Sequence, residues 1–406
     1  MSGVAVIGAG IAGVRAAESL SAAGYLGQIT ILGDESPIYR PSVSKEALAV
    51  SSTGSFPMPL KQSDSHFTWK LGSTVRQVNL AQQSLQFIDA DGATGELLYE
   101  GLILAPGLRP RTLPIAGPTR GRYLLRSLAQ AAALADQLRP GARVSIIGSG
   151  FIGCEVAAAA AVRGCQVTVI SPEPLPLASA LGETIATIVN QRHREHGVRF
   201  IYEQSVLEYR GDTQIREVLL SDGTALHTDL VLEAVGSIPN IDCLNGQGLQ
   251  TSNGLLVDHH LRVSDAHGAV FACGDIAQHP NALFGSDARR VEHWTVAADM
   301  GTYAGRAMQA LLSTGYLELP AFAAVPSFWS DQYDLQIQSF GIPELAIEHT
   351  VLEMTDEGAC IIECRDSIGL VAVIGINRTA ELARYRKTFN SRILSTGLLS
   401  ENAEPH

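Results

Sequence analysis

The sequence predicts an α/β protein built around two copies of one strand–turn–helix–strand unit, with a separate α+β portion at its C-terminal end. Three observations predict this. Val4-Ala5-Val6-Ile7 reads as a short apolar strand that enters Gly8-Ala9-Gly10-Ile11-Ala12-Gly13, and an Ala-rich helical stretch follows to about Ala23. The unit nearly repeats where Val144-Ser145-Ile146-Ile147 enters Gly148-Ser149-Gly150-Phe151-Ile152-Gly153, ahead of a second Ala-rich stretch to about Arg163. From about Leu319 the texture changes to strand-like runs, such as Leu335-Gln336-Ile337-Gln338 and Leu370-Val371-Ala372-Val373-Ile374, followed by a basic helical stretch.

Each glycine of the first turn has a mechanical role. Gly8 permits the tight turn, Gly10 lets the backbone approach a pyrophosphate, and Gly13 lets helix and strand pack closely. The pyrophosphate would rest on the free N–H groups and positive dipole end of the helix. The next strand, Ile29-Thr30-Ile31-Leu32, ends at Gly33-Asp34-Glu35, and Asp34 is placed to bind ribose hydroxyls. A Rossmann-like dinucleotide-binding unit fits all of this. In the second unit Gln166-Val167-Thr168-Val169-Ile170 ends instead at Ser171-Pro172-Glu173, so Glu173 would reach the ribose from two residues further on. With no arginine nearby to hold a 2′-phosphate, NADH is favoured over NADPH.

Composition agrees with this outline. A chain of 406 residues, 46% hydrophobic and 17% charged, suits two or three packed domains. No apolar run reaches the roughly 18 residues of a membrane span. Met1-Ser2-Gly3 leads into the first strand with no basic segment before it, so a cytoplasmic protein is expected. The net charge of −12 argues against general nucleic-acid binding. Six cysteines (154, 165, 243, 273, 360 and 364) contain no Cys-x-x-Cys pair. Reduced thiols and no metal site are the expectation.

Two further turns continue the plan. Leu102-Ile103-Leu104-Ala105-Pro106-Gly107 and Leu230-Val231-Leu232-Glu233-Ala234-Val235-Gly236 each end an apolar strand where the chain would cross between lobes, and Pro106 would stiffen its crossing. A later strand ends at Cys273-Gly274-Asp275. That acid could accept hydrogen bonds from the ribityl chain of a flavin or cap the following helix, and the two roles are compatible.

At Tyr39-Arg40-Pro41-Ser42-Val43-Ser44-Lys45 the sequence resembles the Tyr-x-Arg-Pro-x-Leu-Ser-Lys signature of FAD-dependent NADH:ferredoxin and rubredoxin reductases, the putidaredoxin-reductase-like family related to apoptosis-inducing factor. The similarity continues through Val291-Glu292-His293-Trp294 and Ser327-Phe328-Trp329-Ser330-Asp331-Gln332, and so spans nearly the whole chain. The segment between Asp34 and Arg40 is somewhat shorter than usual. The resemblance implies a glutathione-reductase-like architecture. Residues 1–108 and 238–318 would form a split FAD domain, 109–237 an NAD domain, and 319–406 an α+β domain covering the flavin and helping to dock a partner. It implies FAD contacts at Ala12, Asp34, Arg40, Lys45, Val75, Arg126, Asp275 and Trp294. Gly148, Gly150, Phe151, Ile152, Glu155 and Gly236 would line the nicotinamide nucleotide site, and Glu292, His293 and Trp329 would lie near the flavin ring.

The chemistry of the residues supports that set. A flavin reduced by hydride becomes anionic and benefits from a fixed cation nearby. Lys45 is the candidate, with Glu155 pairing to hold it; a surface lysine and a helix-start glutamate are the alternatives. Phe151 could stack near the nicotinamide or the flavin or belong to the core, and Trp329 could cover the flavin edge or serve as a buried structural residue. Related disulfide reductases place a redox cysteine pair where this chain has residues 40–45, and here no cysteine precedes Cys154. Electrons must therefore leave the flavin directly.

The expected activity is hydride transfer from NADH to FAD, then single electrons to a [2Fe–2S] ferredoxin or a rubredoxin that feeds a cytochrome P450 or other oxygenase. Arg289, Arg290, Arg306 and the basic residues from Arg378 to Arg392 are candidate docking charges for an acidic carrier, although a solvated helix face would also explain the latter. A small-molecule reductase of the monodehydroascorbate or nitrite reductase type, or an NADH-sensing interaction protein, are the rivals. Nothing in the sequence demands an obligate dimer, and a monomer or weak dimer is expected.

Overall fold

Apolar runs that lack polar alternation belong to strands covered on both faces, and the two glycine turns sit at the ends of such strands. The computed structural model describes residues 3–49, 56–61, 67–285 and 287–395. In the first lobe Thr68–Leu71, Ile29–Gly33, Gly3–Ile7 and Thr94–Leu104 run parallel in that spatial order, and Ala269–Ala272 pairs with the last of them. Val4, Val6, Ile31, Leu102 and Phe271 are buried in this sheet. The helix Ile11–Ala22 packs against the helix Trp294–Thr314 so closely that a Cβ on Gly301 would stand 2.1 Å from the Ala12 carbonyl. The first half of Thr94–Leu104 continues into an antiparallel meander with Ser84–Ile88 and Thr74–Asn79.

The second lobe repeats the scheme. Its parallel sheet has the order Arg199–Ile201, Gln166–Ile170, Arg143–Ile147, Leu230–Glu233, Arg122–Tyr123. The helix Phe151–Val162 follows the second glycine turn. Two short antiparallel strands, Leu108–Pro110 and Ser237–Pro239, carry the chain between the lobes, and the Asn240 amide donates to the Pro106 carbonyl at 3.2 Å across that ribbon.

The third part is a five-stranded antiparallel sheet in the order Ser327–Gln332, Leu335–Gly341, Leu370–Ile376, Cys360–Arg365, Glu348–Met354, followed by the helix Thr379–Ser395. Leu335, Ile337, Ile362 and Ile374 share one apolar cluster with Cys154, Ile185 and Val189 of the second lobe. That shared core fixes the first strand of the sheet against the second glycine-turn helix. All six cysteines are free, and burial pushes the thiols of Cys273 and Cys364 up to about 12. Among the described residues no helix is long and apolar enough to cross a membrane.

Burial also fixes a pH dependence. His193 and His279 are fully enclosed, which lowers each from 6.5 to about 4. An unfolded chain protonates them near pH 6.5 while the folded chain does not, so their contribution is complete above that pH and is lost as pH falls from 6.5 toward 4. At about 1.4 kcal/mol per pH unit per group, the pair should cost roughly 4 kcal/mol between pH 7 and pH 5. Urea denaturation at the two pH values should show this drop, and His279→Leu should remove about half of it. A midpoint that does not move between pH 7 and 5 would contradict the burial of these rings.

Candidate functional site

The two glycine turns have the same construction. Gly8 has φ +111°, and a Cβ there would stand 2.0 Å from the Ala105 carbonyl, while one on Gly13 would lie 1.9 Å from the Gly8 carbonyl. Gly148 and Gly153 repeat both contacts at 2.3 Å from Ala234 and 2.2 Å from Gly148. Gly10 and Gly150 differ from these: a Cβ on either would meet nothing within 4 Å. Each is the N-cap of its helix, and no side chain caps either one. Each turn therefore exposes helix N–H groups to open space that a side chain would fill, as an anion cradle requires. The residues present fit a dinucleotide in both lobes.

Around the first cradle a polar rim forms. Asp34 lies exposed just past the strand Ile29–Gly33, and Glu35 pairs with Arg40. The Arg40 guanidinium also donates to the Arg126 carbonyl at 2.6 Å, and Arg126 pairs with Asp275 at 2.8 Å. Arg126 is held by the cap of the helix Leu128–Ala135, where Gln130 Oε1 accepts from the backbone N–H of both Arg126 and Ser127. The Asp275 carboxylate caps no helix: the short 3₁₀ turn Gly274–Ile276 has Cys273 at its N-cap, and the long helix begins only at Trp294. Val75 packs on the same lobe's core, and Ala12 is buried in the first turn of its helix.

In the second lobe the strand Gln166–Ile170 ends at Ser171, whose hydroxyl accepts from Ser149 at 2.8 Å. The Glu173 carboxylate accepts from Ser179 at 3.0 Å, so it is turned back toward its own loop. Ile152 is half-exposed in the first helical turn. Gly236, φ +95°, opens the crossing ribbon beside the second glycine turn.

All three parts meet at Lys45. Its ammonium lies 2.8 Å from Asp331 and 3.8 Å from Glu155, and 5.5 Å above the Trp329 ring. Glu155 accepts from Ser44 Oγ at 2.5 Å and from Ser330 Oγ at 2.7 Å. Burial, with Asp331 beside it, raises the Glu155 carboxyl above the usual carboxylate range, and Lys45 and the two hydroxyls pull it part of the way back. Periodicity explains the convergence. Phe151 and Glu155 share one helical face, i and i+4. Phe328, Ser330 and Gln332 share one face of the strand Ser327–Gln332, and Trp329 and Asp331 share the other. Phe151 accordingly meets Phe328 edge to face at 4.9 Å, and the His293 ring meets Phe328 at 5.2 Å.

His293 Nδ1 is buried with no hydrogen-bond partner among the described residues, a ring nitrogen that a bound group would satisfy. Burial holds His293 at about 4, hence neutral. Trp294 packs edge-on against Tyr39 at 5.3 Å, and Glu292 accepts from Ser237 of the ribbon at 2.9 Å.

Sequence reasoning paired Lys45 with Glu155; the structure adds Asp331 as its nearer partner. Asp331 already stands in the Ser-Phe-Trp-Ser-Asp-Gln run, and strand alternation with Trp329 was the signal available. One expectation is corrected. Arg290 is only 12% exposed and is tied to Glu292 at 2.8 Å, to Asn253 and to the Asp275 carbonyl, so it presents no docking charge. Arg289 is also partly consumed, donating to the Phe284 carbonyl at 2.9 Å. Arg306, Arg384, Arg386 and Lys387 are exposed, and the side chain of Arg392 lies outside the described residues.

Comparison with known proteins agrees with this fold. The family described as "Pyridine nucleotide-disulphide oxidoreductase" matches residues 2–301, and one described as "Reductase C-terminal" matches residues 327–397. Rhodocoxin reductase of Rhodococcus erythropolis is 33% identical, over 95% of this chain and 88% of its own length. The ferredoxin–NAD(+) reductase component of the anthranilate 1,2-dioxygenase system of Burkholderia cepacia is 35% identical, over 83% of this chain and 81% of its own. Among solved structures, the covalent putidaredoxin reductase–putidaredoxin complex matches with a TM-score of 0.85 at 28% identity, covering 96% of this chain and 93% of the other.

Proposed function

The chain belongs to the pyridine nucleotide-disulphide oxidoreductase family and, within it, to the flavoprotein ferredoxin reductases that use FAD and NAD(H), and from that premise we propose that it passes electrons from NADH to a [2Fe–2S] ferredoxin or a rubredoxin feeding a cytochrome P450 or other oxygenase. FAD, when bound, accepts a hydride and releases electrons one at a time. The observation that carries the reading is the meeting of all three parts at Lys45, where the one neighbouring cysteine, Cys154 beside Glu155, is a single buried thiol with no disulfide partner. A dithiol relay has no pair of residues to use there.

The roles of the chain's own residues follow. Gly10 and the helix behind it would hold the FAD pyrophosphate, Asp34 its adenosine ribose, and Asp275, steadied by Arg126, its ribityl chain. Gly148, Gly150 and Gly153 would do the same for the nicotinamide nucleotide. Lys45 would keep a positive charge beside the reduced ring, held in place by Asp331 and Glu155. Phe151, Phe328, Trp329 and His293 would keep water from the reacting atoms. This assignment divides the chain into a split FAD domain (1–108 and 238–318), an NAD domain (109–237) and a covering domain (319–406). Arg306, Arg384, Arg386 and Lys387 are the charges left to attract an acidic carrier. Six unpaired cysteines suit a reducing compartment, so the enzyme would act in the cytoplasm as a monomer or weak dimer.

The test is NADH-driven reduction of cytochrome c with and without added [2Fe–2S] ferredoxin. A rate that rises at least about tenfold with the carrier is expected; equal rates would sink the reading. NADH should outperform NADPH in the same assay, because among the described residues no arginine side chain hydrogen-bonds or ion-pairs with the loop 171–179, where Glu173 is instead held by Ser171 and Ser179. A clear NADPH preference would refute that part alone.

A further inference from the structure

Behind Glu155 runs a buried line of hydrogen bonds that the reading above does not use. Gln332 Nε2 donates to Ser330 Oγ at 3.0 Å, Gln332 Oε1 lies 2.9 Å from His193 Nε2, and His193 Nδ1 lies 3.3 Å from the Tyr333 hydroxyl. Ser330, Gln332 and His193 are fully buried. The line joins the covering sheet, the helix Glu183–Glu195 and the second glycine-turn helix.

Donors and acceptors fix its direction. The carboxylate of Glu155 can only accept when ionised, so Ser330 spends its proton on Glu155 and must accept from Gln332. The Gln332 amide oxygen then needs a donor, which makes His193 carry its proton on Nε2. His193 Nδ1 is left to accept from Tyr333. Every hydrogen in the line points toward Glu155, and such aligned dipoles reinforce one another in a low-dielectric interior. Burial of His193 keeps it neutral, as this orientation requires.

We propose that Ser330, Gln332 and His193 are positioning residues whose aligned hydrogen bonds keep Glu155 ionised and aimed at Lys45, so that flavin reduction depends on the covering sheet being seated on the NAD lobe. The proposal rests on the assignment of Lys45 and Glu155 to the flavin site. Other charged or titratable groups facing Glu155 are Lys45, Asp331 and the Cys154 thiol. Those facing His193 are His196 and Tyr333. Lys45 and Asp331 are untouched by a change at Gln332.

The test is stopped-flow reduction of the FAD-loaded enzyme by NADH from pH 5.5 to 9, for wild type, Gln332→Met and Glu155→Gln. Wild type should show no inflection that requires Glu155 to titrate in the neutral range. Gln332→Met should acquire one, its rate falling roughly tenfold or more as pH drops below the new inflection and recovering at high pH. Glu155→Gln should be slow at every pH. If Gln332→Met keeps the wild-type profile while Glu155→Gln is slowed, the positioning line is overturned and the site assignment stands. If Glu155→Gln reduces its flavin as fast as wild type, both are overturned. Should Gln332→Met lose its flavin or fail to fold, Ser330→Ala takes its place with the same expected profile, and an unchanged profile there overturns the proposal equally.

Discussion

Gly10→Val is expected to yield a folded but colourless protein. A Cβ at this position meets no packed neighbour within 4 Å, and the φ of −74° there suits valine, so the fold should be undisturbed. The same side chain occupies the space above the helix N–H groups. Losing two charge-assisted hydrogen bonds to a pyrophosphate costs about 3–6 kcal/mol, or at least a 100-fold loss of FAD affinity. Gly150→Val should act on the other nucleotide: the protein stays yellow while the KM for NADH rises by a similar factor. Far-ultraviolet dichroism, flavin absorbance and NADH titration separate the two outcomes. One FAD per chain in Gly10→Val would show that the cradle is not where the flavin pyrophosphate binds. Gly13→Ala provides the contrast, since its Cβ runs into the Gly8 carbonyl and should damage the fold itself.

The second large effect is expected at Lys45→Met. Methionine keeps most of the side-chain volume and removes the charge, leaving Asp331 and Glu155 without their shared cation. On the proposed assignment a reduced flavin would lose the positive charge that Lys45 supplies, and a preorganised electrostatic contact of this kind is worth on the order of 10-fold to 100-fold in rate. The rate constant for flavin reduction by NADH should fall by that factor while the KM for NADH changes little, because the cradle at Gly150 is untouched. Lys45→Arg should recover part of the rate. Wild-type reduction kinetics in Lys45→Met, with full flavin content, would remove Lys45 from the chemistry.

The glycine turns were legible because everything they need is local. Strand, turn, helix and second strand lie within thirty or so residues, and each glycine answers to a clash that the chain's own neighbours create. The Lys45 knot was legible only in part. Glu155 could be named because the family resemblance places it at the nicotinamide site, but Asp331 lies in a strand whose position depends on the apolar cluster joining Ile185 and Val189 to Ile337 and Ile374. No spacing within the sequence encodes that docking. The same limit explains Arg290. As a residue in a run it is one of two adjacent cations beside an acid; in the fold its guanidinium is surrounded by Asn253, Glu292 and the Asp275 carbonyl. His193 is the extreme case, a histidine on an amphipathic helix whose partner Gln332 lies on a different sheet.

The free thiols have a consequence for electron counting. Enzymes of this architecture that carry a dithiol beside the flavin can store four electrons, two on the ring and two on the sulfurs. Here every cysteine is free, five of the six are buried, and Cys154, the one beside Glu155 of the Lys45 knot, forms no disulfide. The molecule therefore has a capacity of one electron pair. A reductive titration should end at two equivalents per chain, and each NADH must be discharged completely, in two deliveries, before the next can be used.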